Sequence, residues 1–201
     1  MNRAAANIMG LYERHAAAWT AARKAAPVLE MAWLERFEAA LPVRSHVLDI
    51  GCGSGEPIAR FLRARHHEVT GVDSSKTMID MFLKACPDAE TIVADMRCLS
   101  LGRRFGGLIA WDSFFHLPPD GQRHMFGVFG AHALPGAMLM FTSGPAAGEA
   151  IGKLEGEDLY HASLGGPEYR QLLDLAGFDV VAQVNEDPGC GGRTVWLAKQ
   201  R

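Results

Sequence analysis

Residues 47–55 read Val47-Leu48-Asp49-Ile50-Gly51-Cys52-Gly53-Ser54-Gly55, and Glu56-Pro57 follow directly. The first four residues are typical of a buried strand, and three alternating glycines come immediately after it. Glycine in such a turn allows a ligand to approach the backbone and the amide dipoles that begin the next helix. Ligands of open α/β sheets bind at the carboxyl ends of strands. The stretch therefore predicts a strand, a ligand-binding turn and a helix, with a turn that binds nothing as the alternative.

The spacing of the glycines distinguishes this turn from a dinucleotide site. A Gly-x-Gly-x-x-Gly fingerprint would require glycine or alanine at residue 56, where the chain has Glu56. Asp49 is a second discriminator, because a carboxylate in an apolar strand is costly to desolvate unless it meets a donor or a cation. We expect Asp49 to meet an ammonium group or an amide of the glycine turn.

Alternating strand and helix patterns continue along the chain. Strands are predicted at residues 46–50, 68–72, 91–94, 107–111 and 137–142, and helices at 57–65, 76–84 and 120–133. This alternation is typical of an α/β fold in which helices cover a parallel sheet. A helix over residues 167–176 and two apolar runs, 178–184 and 193–198, then predict an antiparallel hairpin at the sheet edge.

Two segments do not follow the alternation. The alanine-rich sequence of residues 1–45 predicts two amphipathic helices that form an N-terminal cap, with Tyr12, His15 and Trp19 on one face. Residues 143–163 are rich in glycine and weakly periodic, so we expect an irregular loop there. An irregular stretch of that length in a compact domain is usually functional, and we interpret it as a substrate lid.

Composition restricts the classes of function. The chain has 201 residues, 48% hydrophobic and 21% charged, which predicts one compact domain with a full core. A net charge of −3 gives no electrostatic reason to bind nucleic acid, and the four cysteines include no Cys-x-x-Cys pair, so we expect no metal site. The N-terminus, Met1-Asn2-Arg3-Ala4, lacks a signal-peptide core, and no apolar run approaches the roughly 20 residues of a membrane span. We expect a cytoplasmic protein without membrane association, as a monomer or homodimer.

Over residues 46–201 the sequence resembles the class I S-adenosylmethionine-dependent methyltransferases, and residues 1–45 resemble the helical cap of their small-molecule branch. The glycine turn, Asp73 at the end of Val69-Thr70-Gly71-Val72, and Asp95 after Ile92-Val93-Ala94 carry this resemblance. Taken singly, Asp73 or Asp95 could merely cap a helix or a turn. The resemblance implies a Rossmann-like fold with a seven-stranded, mostly parallel sheet whose last strand is antiparallel.

The resemblance also implies the cofactor, S-adenosyl-L-methionine, and its product, S-adenosyl-L-homocysteine. In that family the glycine turn contacts the methionine part, an acidic residue like Asp73 holds the ribose, and one like Asp95 accepts the adenine amino group. The cofactor-binding residues that it implies are Asp49, Gly51, Cys52, Gly53, Gly55, Asp73, Ser74, Met78, Asp95, Met96, Trp111, Asp112 and Ser113. Tyr12 and Trp19 of the cap either close the pocket or simply pack against the sheet.

The implied activity is methyl transfer to an oxygen or nitrogen atom, or to a sulfur or carbon atom, of a small molecule. Alignment of the acceptor supplies most of the rate, and a base is needed only for an acceptor that carries a proton. His116 is the first candidate base, with a purely ordering or cofactor-contacting role as the alternative, and His161 and Tyr160 come second. We expect His15 to be a packing residue.

Two other functions compete with this one. A non-catalytic sensor or partner subunit that binds S-adenosylmethionine would retain every motif but lack turnover. An NAD(P)-dependent reductase would share the alternating pattern, but Glu56 and the antiparallel final strands argue against it.

Overall fold

A computed structural model describes residues 3–201. Met1 and Asn2, the first two residues of the N-terminal stretch that we expect not to be a signal peptide, lie outside the described residues. Its strands are β1 (His46–Ile50), β2 (Glu68–Asp73), β3 (Glu90–Val93), β4 (Phe105–Ala110), β5 (Ala133–Ser143), β6 (Gly148–Leu154), β7 (Glu157–Ser163), β8 (Phe178–Asp187) and β9 (Arg193–Gln200). Seven of them form one sheet in the order β3-β2-β1-β4-β5-β9-β8. The last strand, β9, runs antiparallel to both neighbours, while the pairs from β3 to β5 are parallel. The predicted fold class is confirmed.

Helices cover both faces of this sheet. They are α1 (Arg3–Ala25), α2 (Met31–Ala39), α3 (Ile58–Ala64), α4 (Lys76–Ala85), α5 (Pro119–His132) and α6 (Gly166–Leu175). One core, containing Phe114, Phe129 and Trp196, lies between the sheet and the helices α5 and α6, and the other, containing Phe37 and Phe82, lies on the opposite face. Within residues 3–201, no helix is long and apolar enough to cross a membrane.

The strand register brings the predicted site residues to one edge. Asp49 of β1 pairs with Gly71 of β2, and Asp73 at the end of β2 pairs with Val93 of β3. Because parallel strands end at the same edge of a sheet, the glycine turn, Asp73 and Asp95 lie side by side.

The prediction of an irregular loop at residues 143–163 is wrong. Strands β6 and β7 pair along their whole length as an antiparallel hairpin. Glu155 and Gly156 both have positive φ, as the two central residues of a tight hairpin turn require. The hairpin was not predictable from the sequence, because most of β6 is exposed and the strand therefore has no alternation of apolar and polar residues.

Candidate functional site

The glycine turn after β1 has a backbone that only glycine adopts easily. Gly51, Gly53 and Gly55 have φ angles of 74°, 53° and 78°, in the left-handed region. A Cβ atom on Gly51 would lie 2.3 Å from the Cβ of Ser113, and one on Gly55 would lie 2.7 Å from the ring of Phe82. The turn therefore exposes bare backbone at the carboxyl edge of the sheet.

Two acidic side chains frame this turn. Asp73 accepts hydrogen bonds from the backbone N–H groups of Gly53, at 2.9 Å, and of Ser75, at 2.8 Å. Asp95 is held by Arg97, whose Nε lies 3.0 Å from both carboxylate oxygens. This ion pair lowers the pKa of Asp95, so the carboxylate is charged at neutral pH. The sequence analysis did not single out Arg97, since nothing in the pattern distinguishes it from a solvated cation.

The glycine turn and both acidic side chains line one cavity at the carboxyl edge of the sheet. All the predicted cofactor residues line it except Asp49, Cys52 and Gly55, which lie behind its surface. The lining residues from the prediction are Tyr12, Trp19, Gly51, Gly53, Asp73, Ser74, Met78, Asp95, Met96, Trp111, Asp112 and Ser113. We call this space the cofactor cavity.

Asp49 is buried directly beneath the glycine turn. Its side chain is 2% exposed, and among the residues that the structure describes one carboxylate oxygen has no hydrogen-bond partner. Burial, assisted by the charge of Asp73, raises the pKa of Asp49 to about 7. A buried carboxyl group with an unused oxygen is rare in folded proteins, and here it lies behind the wall of the cofactor cavity.

Helix α1 forms the roof of the cofactor cavity. Tyr12 and Trp19 of this helix line the cavity. Glu13 ties the helix to the start of α4, accepting hydrogen bonds from Ser75 Oγ at 2.6 Å and from the N–H of Thr77 at 3.1 Å. The middle of α1 is thus joined to the N-terminal end of α4.

A second connection ties α1 to the β6-β7 hairpin. Arg14 and His15 both contact the Glu157 carboxylate, at 2.6 Å and 2.7 Å. His15 is therefore a half-buried partner of a carboxylate instead of a packing residue. The helix is bent at this position, where His15 has non-helical backbone angles.

A second cavity, the acceptor cavity, adjoins the first. Tyr12, Trp19, Asp112 and His116 line both cavities and so form the junction between them. The remaining walls are one face of the β6-β7 hairpin, the turn before β9 and the C-terminal part of α1, and they include Arg23, Phe115, Gly148, Ala150, Leu159, His161, Ser163 and Arg193.

Arg193 fixes the junction residue Asp112. Its Nε lies 3.0 Å and 2.9 Å from the two carboxylate oxygens of Asp112, and its second guanidinium nitrogen lies 2.8 Å away. Such a two-pronged pair holds a carboxylate in one orientation. Arg193 is not predictable from the sequence, because it is 81 positions from Asp112 and no local pattern connects the two residues.

Both ring nitrogens of His116 are engaged. Nδ1 lies 2.8 Å from the carbonyl oxygen of Tyr160, and Nε2 lies 2.8 Å from the hydroxyl oxygen of Tyr12. Since a carbonyl only accepts, Nδ1 carries the proton and Nε2 accepts the hydroxyl hydrogen of Tyr12. Burial lowers the pKa of His116 to about 4, so the ring is neutral.

Tyr160 and His161, both predicted as secondary catalytic candidates, point in opposite directions. Neighbouring side chains of a strand lie on opposite faces of the sheet. His161 lines the acceptor cavity, whereas the Tyr160 ring packs with Ala5 and Ala162 in a small cluster beneath α1. The structure thus contradicts the placement of the Tyr160 side chain at the reaction centre, and only its backbone carbonyl contributes there.

The central part of the chain is similar to a known family of protein domains. Residues 47–136, from β1 into the start of β5, match the family model of the methyltransferase domain. A dTDP-3-amino-3,6-dideoxy-alpha-D-glucopyranose N,N-dimethyltransferase of Streptomyces fradiae is 33% identical over 103 residues, 49% of this chain and 39% of that protein. The chain spans about two fifths of the length of the curated relatives it matches.

Solved structures of other proteins are similar to nearly the whole chain and not only to its central part. The complex of DhpI with S-adenosylhomocysteine has a TM-score of 0.75 at 19% identity and covers 98% of this chain and 96% of that one. A 1,6-didemethyltoxoflavin N1-methyltransferase of Burkholderia thailandensis has a TM-score of 0.72 at 20% identity, over 98% and 86% of the two chains. At this identity the likeness establishes the class I methyltransferase fold.

Proposed function

We propose that the protein is an S-adenosylmethionine-dependent methyltransferase that acts on a nitrogen or oxygen atom of a small molecule. The observation that carries the proposal is the meeting of two cavities at Tyr12, Trp19, Asp112 and His116. One cavity has the glycine turn and acidic strand ends of a cofactor site, and the other is walled by a hairpin. Methyl transfer needs this arrangement, because donor and acceptor must approach along one line with water excluded.

The residues of the cofactor cavity suit an adenosyl ligand with an amino acid tail. Asp73 and Asp95 provide carboxylate oxygens beside each other for hydroxyl and amino groups, and bare backbone at Gly51 and Gly53 permits close approach. Asp49 does not line the cavity, so it would act on an ammonium group there only through its charge. When bound, S-adenosylmethionine supplies a methyl group on a positively charged sulfur.

The junction residues position the acceptor. Arg193 fixes Asp112, and the Tyr160 carbonyl together with Tyr12 fixes the ring of His116, so these side chains require little rearrangement when an acceptor arrives. His116 could take a proton only by way of the Tyr12 hydroxyl, because Nε2 is already occupied. Three of the curated relatives are dTDP-amino-sugar N,N-dimethyltransferases, which supports an amine as the first acceptor class to screen.

Calorimetric titration with S-adenosylhomocysteine tests the proposal directly. We expect saturable binding at one site per chain and no saturable binding of NADH, the control ligand. Asp73→Ala removes a charged acceptor, and hydrogen bonds to charged groups contribute about 1.5–3 kcal/mol, so affinity should fall about tenfold to hundredfold. Asp88→Ala, an exposed carboxylate that does not line the cavity, is the matched control and should bind as the unmodified protein does.

Absence of saturable binding in a folded sample freed of copurified cofactor would overturn the proposal. Binding without methyl transfer to any phenol, amine or thiol would instead favour a non-catalytic sensor. A preference for NADH would favour a reductase.

A further inference from the structure

We propose that His161, rather than His116, is the general base that receives a proton from the methyl acceptor. The inference rests on the proposed function and specifies its chemistry on the acceptor side. It starts from the position of His161 on β7, among residues that line the acceptor cavity only.

His116 has no ring nitrogen left for an acceptor. Its Nδ1–H donates to the Tyr160 carbonyl, and its Nε2 lone pair accepts the Tyr12 hydroxyl hydrogen. The ring is also 6% exposed. These contacts make His116 a positioning residue that holds Tyr12 at the junction between the cavities.

The hairpin is built to present the His161 ring to the acceptor cavity. In the register of β6 and β7, His161 lies opposite Ala150, and the flanking pairs place Gly148 and Gly152 on the same face. These small residues leave room for the ring. A Cβ atom on Gly152 would lie 3.3 Å from Cε1 of His161, tighter than an ordinary van der Waals contact.

His161 also lies within reach of the junction. Its ring centroid is 4.8 Å from that of His116 and 5.4 Å from that of Phe115. An acceptor seated at the junction would therefore lie beside both histidine rings, but only His161 would offer it an unused nitrogen.

The protonation state of His161 is suitable for a base. Burial lowers its pKa, while a backbone hydrogen bond to Leu159 and the charge of Asp112 oppose this shift. The titratable groups around it are Asp112 and the His116 ring, and Arg193 neutralises Asp112. Glu149 of β6 contacts the Tyr160 side chain on the other face of the hairpin. The ring is thus neutral at pH 7, and the Leu159 contact leaves one nitrogen with a lone pair.

The bond between the acceptor atom and its hydrogen breaks, and the proton forms a bond to the unused nitrogen of His161. The freed electron pair of the acceptor forms the bond to the methyl carbon, and the electrons of the carbon–sulfur bond remain on sulfur as a thioether. The imidazolium then releases its proton to water through the open side of the acceptor cavity.

The first test needs no turnover. Diethyl pyrocarbonate acylates accessible, unprotonated imidazole nitrogens, and peptide mass mapping locates each product. With the protein saturated with S-adenosylhomocysteine, we expect His161 to be labelled at least tenfold faster than His116. Exposed His66 and buried His132 are the internal references for fast and slow labelling. Labelling of His116 as fast as His161 would overturn the proposal.

The second test measures methyl transfer to a panel of small phenols, amines and thiols as a function of pH. A general base contributes roughly 10²–10⁴-fold, so His161→Gln should lower kcat at least a hundredfold at pH 7, with S-adenosylhomocysteine affinity unchanged. The loss of kcat should be smaller at a pH high enough for the acceptor to lose its proton to water, because a general base is then not needed. His116→Gln should lower kcat by a smaller factor than His161→Gln does, and that factor should be the same at every pH.

A backbone variant separates the position of the ring from its chemistry. Gly152→Ala should displace the His161 ring and lower kcat about tenfold, while Gly127→Ala, which contacts nothing, should have no effect. Unchanged turnover of His161→Gln on an acceptor that the protein methylates would overturn the proposal. Failure of the protein to bind S-adenosylhomocysteine would contradict the proposed function instead.

Discussion

Replacing Gly51 by alanine should destabilise the fold at the point where the cofactor cavity begins. Its φ of 74° costs alanine about 1–2 kcal/mol relative to glycine. The added Cβ would lie 2.3 Å from the Cβ of Ser113, and relieving such an overlap in a packed region costs about 1–3 kcal/mol. Displacing Ser113 would also weaken the 2.8 Å hydrogen bond from its hydroxyl to the carbonyl oxygen of Ile50, worth about 1 kcal/mol.

Together these effects predict a loss of about 3–6 kcal/mol in the free energy of unfolding. Urea denaturation followed by circular dichroism measures it, with Gly127→Ala as the control, because that helical glycine has an ordinary φ and open space around its Cβ. The double variant Gly51→Ala, Ser113→Gly should recover the steric part of the loss but not the cost of the backbone conformation. A single Gly51→Ala variant as stable as the control would refute the reasoning.

Two further predictions concern the core beneath the site. The pKa of Asp49 is about 7 when folded and about 3.9 when unfolded, so the carboxyl group destabilises the fold progressively as pH rises through that window. The stability of Asp49→Asn relative to the unmodified protein should therefore increase between about pH 4 and 7, and a constant difference in unfolding free energies across that range would contradict the pKa. Phe114 is fully buried with its ring centroid 5.2 Å from that of Phe141, so Phe114→Ala should cost about 3–5 kcal/mol in thermal or urea unfolding, whereas half-buried Phe115→Ala should cost less.

The sheet and the cofactor cavity were largely predictable from local sequence. Buried parallel strands leave continuous apolar runs, and the glycine turn and acidic strand ends are adjacent to those runs along the chain. Asp73 and Asp95 are therefore found at the edge where the pattern puts them. The resemblance to known methyltransferases supplied the cofactor identity, which local sequence does not contain.

The acceptor side was less predictable, because its determinants are distant contacts. The pairing of Arg193 with Asp112 and of Tyr12 with His116 depends on how separate elements pack. The hairpin lacked an apolar alternation, so the opposite directions of Tyr160 and His161 could not be read before its strands were known. Once the strands are known, the alternation of side chains along β7 shows that His161, and not Tyr160, faces the acceptor cavity.

The β6-β7 hairpin also has a consequence for the evolution and redesign of the protein. Its two ends are fastened to each other, since the Ser163 hydroxyl donates to the carbonyl oxygen of Gly144 at 3.2 Å. A segment whose ends already meet can be exchanged for another of different length with little disturbance to the scaffold that carries it. A chimera that exchanges the hairpin would still have to keep two of its contacts, the Glu157 carboxylate that ties it to α1 and the Tyr160 carbonyl that holds His116.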